Sequence, residues 1–533
     1  MPKKVLPYLL MAAAVLLAFG WVLPGEFVSD DMLWATPEAV SRCVGGFRAA
    51  FGSWGFRSAG LGLVGPPIFR PLQALFMASA QLLLGTQPWA WHLLSMALHL
   101  LNGVLLYRLM ARLWPELQDL PRLALVFLFL LHPAGSEAVL WISAFGELLG
   151  ATFLLGTLLA YLRWRGDWSP VRMAALTALY AAACLTKESA LVIPLLVGSY
   201  ELTRSREQRR FPPVLAVAAV LVALLFLLLR RAVIGSQLAG QPFAPDLPRV
   251  LSMGLAHLRF LFLPGAPPFV LRPPEVALTG IPAMAAAALL LAGVVAAVRF
   301  LKGDRRGLAF GLLWGLLCLW PAYAIASVGP GFFAGRHAYP AAVGLALVVG
   351  SALVGLTPQG QGRAVLALVP LAAWLAWGTA GNAVVLRSNV GAFTQALAVS
   401  PGSDGPRVAL AETLEREGDY PGALVRYSDA VARAPSPELK RDYLLSMAGL
   451  LGRLGRGPES DRMFQDALRI DPRSSSAWAG LGNNAWLAGR LDQAIGWYQE
   501  ALRCDPGNQV AAANLANVQA LRGPVPAAAH AQR

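Results

Sequence analysis

Residues 475–508 read SSAWAGLGNNAWLAGRLDQAIGWYQEALRCDPGN. Trp478, Leu481, Gly482 and Ala485 recur at helical spacing on one face of a first helix. Ala494, Tyr498 and Ala501 do the same on a second, and Pro506 stops it. Small residues at these offsets let a helix pair close tightly around the large ones.

The same offsets recur 34 residues earlier at Leu444, Met447, Ala448, Ser460, Phe464, Ala467 and Pro472. A further step, with three inserted residues, gives Leu410, Ala411, Leu414, Ala423, Tyr427, Ala430 and Pro435. This period and these offsets are the tetratricopeptide-repeat pattern. A half-repeat holding Phe393, Ala396 and Pro401 precedes the array, and 509–522 reads as a capping helix. About three full repeats suffice to bury a continuous core. The expected divisions are a connecting helix and half-repeat over 383–403, the array over 404–522 and a flexible tail over 523–533.

Upstream, residues 1–382 are of another kind. The chain is 56% hydrophobic and 14% charged, with a mean hydropathy of +0.54, more apolar side chain than a soluble core needs. Apolar windows of membrane-crossing length alternate with short basic loops. Spans are predicted near 5–24, 91–112, 121–137, 147–163, 171–186, 189–203, 213–230, 279–300, 307–325, 338–356 and 364–382. Segments 71–85 and 249–264 read as interfacial or re-entrant helices. The expected fold is all-α: a polytopic membrane helical domain of about eleven transmembrane helices, then a tetratricopeptide-repeat α-solenoid.

The net charge of +14 divides unevenly, since residues 383–533 hold 16 Lys and Arg against 15 Asp and Glu, leaving 28 against 15 upstream. Six basic sites (Lys3/Lys4, 108–122, 163–172, 204–210, 299–306 and Arg363) carry 17 of those 28 and alternate with the spans. That places the N-terminus inside an inner membrane and the array on the periplasmic side, and no nucleic-acid partner follows from the charge. Cys43, Cys184, Cys318 and Cys504 show no metal-ligand spacing. Gly25-Glu26-Phe27 offers no small-x-small cleavage site after the first apolar run, so that run reads as an uncleaved span.

Chemistry-bearing residues gather at the predicted outside ends of the spans. Asp30 and Asp31 follow the first, an acid pair suited to a general base; capping of a helix from Met32 by Ser29 or Asp30 fits the spacing equally. Further along come Arg70-Pro71-Leu72, His132-Pro133 with Glu137-Ala138-Val139 and Trp141-Ile142-Ser143, Lys187-Glu188, and Arg336-His337-Ala338-Tyr339-Pro340. Charges at membrane depth line cavities, and Arg and Lys there fit a phosphate leaving group. The structural readings are that Lys187 and Glu188 pair with each other, that Arg336 snorkels to headgroups and that His132 is a helix-end residue.

In this order and company, these segments resemble the transmembrane and tetratricopeptide-repeat-containing O-mannosyltransferases, and through them the C-type glycosyltransferase superfamily. Gly135, Ala144, Phe145 and Gly335 depart from the family pattern. The resemblance implies inverting transfer of a sugar from a polyprenyl-phosphate carrier to an acceptor hydroxyl. Asp30 or Asp31 would take the acceptor proton, and Lys187, Arg336 and Arg70 would hold the lipid phosphate. His132, Glu137, Glu188 and His337 would shape the pocket. No metal or cofactor is implied; the partners would be the bilayer, the polyprenyl-phosphate sugar and a polypeptide acceptor on the repeats. Two alternatives stand: a surface-polysaccharide ligase or polymerase, and a non-enzymatic envelope scaffold. The first wants a large late outside loop rich in basic residues and His, whereas 231–278 offers only Arg231, Arg249, His257, Arg259 and Arg272.

Overall fold

The computed structural model describes residues 2–29, 31, 69–238, 247–262, 306–326 and 335–522. Among the described residues every regular element is helical. The chain divides into two compact units, Met1–Pro401 and Gly402–Arg533.

The first unit contains helices α1 (Pro2–Phe19), α2 (Pro71–Leu84), α3 (Pro88–Leu113), α4 (Asp119–Leu130), α5 (Ser136–Leu140), α6 (Phe145–Trp164) and α7 (Pro170–Thr186). After these come α8 (Ile193–Leu202), α9 (Pro213–Leu238), α10 (Leu247–Phe262), α11 (Arg306–Ala326), α12 (Tyr339–Val354), α13 (Pro358–Val385) and α14 (Asn389–Val399). Proline opens α2, α3, α7, α9 and α13, where its missing N–H costs nothing.

Among the described residues, six helical stretches are long and apolar enough to cross a bilayer: Val5–Val22, Pro88–Leu113, Ile142–Trp164, Pro213–Ala232, Gly335–Val354 and Pro358–Val385. Eleven uninterrupted spans are not what the described residues show. The stretch expected at 121–137 is a pair, Asp119–Leu130 and Pro133–Leu140, bent by 49°, because Pro133 cannot donate into the preceding turn. The expected 171–186 helix is short, and 189–203 splits into a 3₁₀ turn, Glu188–Val192, and the ten-residue α8. The expected span 307–325 coincides with α11, of which Arg306–Leu319 counts as a short apolar helix. Span 279–300 lies outside the described residues.

Polar bonds and close backbone contact hold the interior. His99 Nε2–H donates to the Leu130 carbonyl at 3.0 Å, and its Nδ1 accepts from the Tyr339 hydroxyl at 2.8 Å. Asn102 donates to that hydroxyl at 3.0 Å and accepts from Thr152 at 2.7 Å. Such bonds replace the hydrophobic drive that apolar surroundings remove. α11 and α12 touch backbone to backbone, since a Cβ on Gly344 would meet Gly315 N at 2.7 Å and Gly311 O at 2.8 Å.

The second unit stacks helix pairs α15 (Asp404–Arg416) with α16 (Tyr420–Arg433), α17 (Pro437–Arg453) with α18 (Gly457–Ile470), and α19 (Ser475–Leu487) with α20 (Leu491–Cys504), ending in α21 (Gln509–Arg522). Ala423, Ala430, Ala448, Ala467, Ala494 and Ala501 are fully buried, as are Tyr427 and Tyr498 within a few per cent. Each hairpin turns on a left-handed glycine: Gly418, Gly455 and Gly489, with φ of 86°, 73° and 74°. The tail expected over 523–533 lies outside the described residues.

Burial raises the carboxyl of Glu412 on α15 to about 7, against a smaller lowering by Arg416. The folded array therefore holds a proton that the unfolded chain releases above its ordinary carboxylate value. Stability falls as pH rises toward 7, and the loss is complete above it. Glu412→Gln is accordingly expected to stabilise the array at pH 8 and to change little at pH 4.5, read as melting temperature at both. Equal shifts would deny the buried carboxyl.

Candidate active site

Ends of apolar helices and one loop build the site. At the C-terminus of α7 the chain turns extended at Lys187 (φ −158°, ψ 135°), so neighbours 187 and 188 point to different partners. Lys187 reaches the Glu147 carboxylate on the first turn of α6, both side chains under 5% exposed. Glu188 takes Arg70 in a two-pronged pair, Nε to Oε2 at 2.9 Å and Nη2 to Oε1 at 2.5 Å. The self-paired reading of Lys187 and Glu188 is thus corrected by backbone geometry.

The second charge centre joins α5 to the turn before α12. Glu137 Oε1 accepts from Arg336 Nη1 at 2.5 Å, and its Oε2 accepts from the Arg336 backbone N–H at 3.0 Å. The guanidinium also lies over Trp141, 4.5 Å from the ring centroid. Arg336 is therefore gripped on two sides, where a snorkelling side chain would be extended to headgroups. Next to it, His337 Nδ1 sits 2.9 Å from Glu147 Oε1, so Glu147 holds Lys187 and His337 together.

His132 is committed elsewhere. Its Nδ1 accepts from the Ala134 N–H at 3.0 Å and its Nε2 donates to the Leu261 carbonyl at 2.9 Å. With both nitrogens used, it ties the bend at Pro133 to α10. That helix, expected as interfacial or re-entrant, lays Phe260 against Gly335 and brings the buried His257 ring to 6.3 Å from His337.

Asp31 is wholly buried. Its Oδ1 accepts from the Ser143 N–H at 2.7 Å and its Oδ2 from the Val28 N–H at 3.2 Å. Asn389 clamps the approach: its Oδ1 accepts from Ser29 N–H at 2.7 Å, while its Nδ2 donates to Glu26 at 3.0 Å and to the Phe27 carbonyl at 2.9 Å. Ser29 stands at φ 58° within that clamp, a left-handed conformation its surroundings must enforce. Asp30 and Met32 lie outside the described residues. Asp31 thus joins the loop after α1 to the turn before α6.

The structure brings together Arg70, Lys187, Glu188, Glu137, Arg336 and His337. Glu147, absent from the sequence reading, is the hub. Its signal was a lone carboxylate opening an apolar run, Phe145-Gly146-Glu147-Leu148-Leu149, which is costly in a membrane and marks function. Three cations here meet three carboxylates. Among the described residues no cluster of three His, Cys, Asp or Glu could hold a metal ion.

The family model described as tetratricopeptide repeat matches residues 445–509. Among curated proteins, the human protein O-mannosyl-transferase TMTC3 is 30% identical over 138 residues, 25% of this chain and 14% of that protein. The Drosophila melanogaster protein O-mannosyl-transferase Tmtc2 is 32% identical over 193 residues, 34% of this chain and 20% of that protein. The chain thus aligns with a fifth or less of the length of these relatives. The crystal structure of the P58(IPK) TPR domain is 14% identical, covering 69% of this chain and 98% of its own, with a TM-score of 0.21. Yeast Tom70 gives 14%, 69%, 92% and 0.23, and scores this low extend the likeness no further.

Proposed function

We propose that the chain is a multi-pass membrane glycosyltransferase that moves a sugar, a hexose such as mannose, from a polyprenyl-phosphate carrier to an acceptor hydroxyl with inversion. The acceptor is a protein Ser or Thr delivered by the repeats, which sit on the periplasmic side of the inner membrane. The observation that carries this reading is the charge cluster: Arg70, Lys187 and Arg336, each held on a carboxylate near the end of an apolar helix. Partial identity to proteins named O-mannosyl-transferases supports the same class.

In this mechanism the donor phosphate exchanges places with a carboxylate on one or more of the three cations. Positive charge placed beforehand at the leaving oxygen lowers the barrier without reorganisation. On the other side of the sugar, Asp30 or Asp31 takes the acceptor proton, and the amide bonds of Asp31 fix that carboxylate in place.

The test is glycan mass on envelope proteins and polysaccharide from cells carrying the intact protein, a deletion, or Asp30→Asn with Asp31→Asn, at matched membrane abundance. A hexose-type mass is expected to vanish equally in the deletion and the double variant, and the molecule that loses it names the acceptor. Loss in the deletion alone would make the acids structural and favour a scaffold.

A further inference from the structure

We propose that the His337–Glu147 pair takes up one proton when the lipid phosphate binds, so that Glu147 is a positioning residue and His337 supplies the positive charge that balances the leaving group. The inference rests on the transferase reading and concerns the charge balance of its cluster.

The argument begins with a charge count. Arg70, Lys187 and Arg336 face Glu188, Glu147 and Glu137. With His337 neutral the cluster sums to zero. A phosphodiester entering it adds one negative charge, and breaking its bond to the anomeric carbon leaves the electron pair, and a second negative charge, on the phosphate oxygen. Lys187, Glu137 and Glu147 are under 5% exposed, and uncompensated charge so far from water costs several kcal/mol. An imidazole is the side chain that gains a unit charge most readily near neutral pH.

His337 is placed for this. Its Nδ1 lies 2.9 Å from Glu147 Oε1, the same oxygen that Lys187 reaches. When phosphate draws the Lys187 ammonium away, Glu147 loses its cation and a proton from water on His337 restores the balance. The proton enters with the donor, stays on the imidazole while the C–O bond breaks and returns to water with the departing lipid phosphate. The acceptor's own proton goes separately to the aspartate.

The groups that bear on His337 are Glu147 from α6, Lys187 from the end of α7, Glu137 through Arg336, and His257 from α10. α11 packs beside the turn as well, but its Arg306 adjoins Gly307, which lies against Ser351 at the opposite end of α12. Twelve residues of helix, about 18 Å, separate that end from Tyr339. His257 is therefore the competing proton carrier and enters the test as a variant.

The experiment is calorimetric titration of the detergent-solubilised full chain with a polyprenyl methyl phosphodiester, whose single charge does not titrate between pH 5 and 9. Heats at pH 7.5 in two buffers of different ionisation enthalpy give the protons taken up per ligand. The wild type is expected to take up about one, with affinity falling about tenfold per pH unit above neutrality. His337→Gln should abolish the uptake, Glu147→Gln should reduce it while sparing size and shape, and His257→Gln should leave it intact. Unchanged uptake in His337→Gln, loss of uptake in His257→Gln, or none in the wild type despite binding, would overturn the inference alone. A wild type that binds no phosphodiester would overturn the transferase reading together with it.

Discussion

Glu147→Leu should destabilise the first unit by about 3–5 kcal/mol, because it leaves the buried Lys187 ammonium without its carboxylate. Both partners are under 5% exposed, and the Lys187 stem packs against the backbone at Gly150, where a Cβ would lie 3.6 Å from its own. Lys187→Met should cost less, since Glu147 keeps the His337 bond at 2.9 Å. The double variant should cost less than the two singles added, as removing both charges removes the stranded ion. Thermal unfolding in detergent, run as this double-mutant cycle, decides the matter. Singles within about 0.5 kcal/mol of wild type would mean an exposed, weakly contributing pair.

This hub also marks where the sequence stops being legible. The cations Arg70, Lys187 and Arg336 could be singled out because isolated charges at the ends of apolar runs are rare. Their partners could not be assigned. Lys187 and Glu188 are neighbours, which suggests mutual pairing, yet one extended residue at a helix end sends them to Glu147 and Arg70, 40 and 118 positions away. Glu147 itself reads as the first residue of a span, so its carboxylate passes for a boundary marker. The polar bonds of His99, Asn102 and Thr152 were equally hidden, because a few polar residues inside an apolar run leave its mean hydropathy high. The span count erred for a related reason: a window of apolar residues does not reveal a bend at Pro133 or a 3₁₀ turn after Lys187. The repeats were legible throughout, since each keeps small residues and a large apolar or aromatic one at fixed offsets, and the left-handed glycines at 455 and 489 keep the 34-residue step.

Tyr498→Ala should cost the array about 3–5 kcal/mol, a large share of what a small domain has to lose. The ring is fully buried and lies so close to Gly482 that a Cβ there would meet its Cε1 at 2.7 Å. No neighbour on α19 can lean in to fill the space left behind. The hydroxyl also donates to Asn483 Oδ1 at 2.6 Å, so Tyr498→Phe should cost only about 1 kcal/mol and separates the bond from the ring. In a stacked array each repeat is stabilised through its immediate neighbours, so damage at one interface spreads unevenly. Hydrogen exchange should therefore accelerate most in α19, α20 and α21 and least in α15 and α16, which pack with α17 around Tyr427 in a cluster separate from that of Tyr498. Equal acceleration from 404 to 522 would make the array one cooperative unit, and unchanged exchange would show that the aromatic at this offset does not hold the helix pair together.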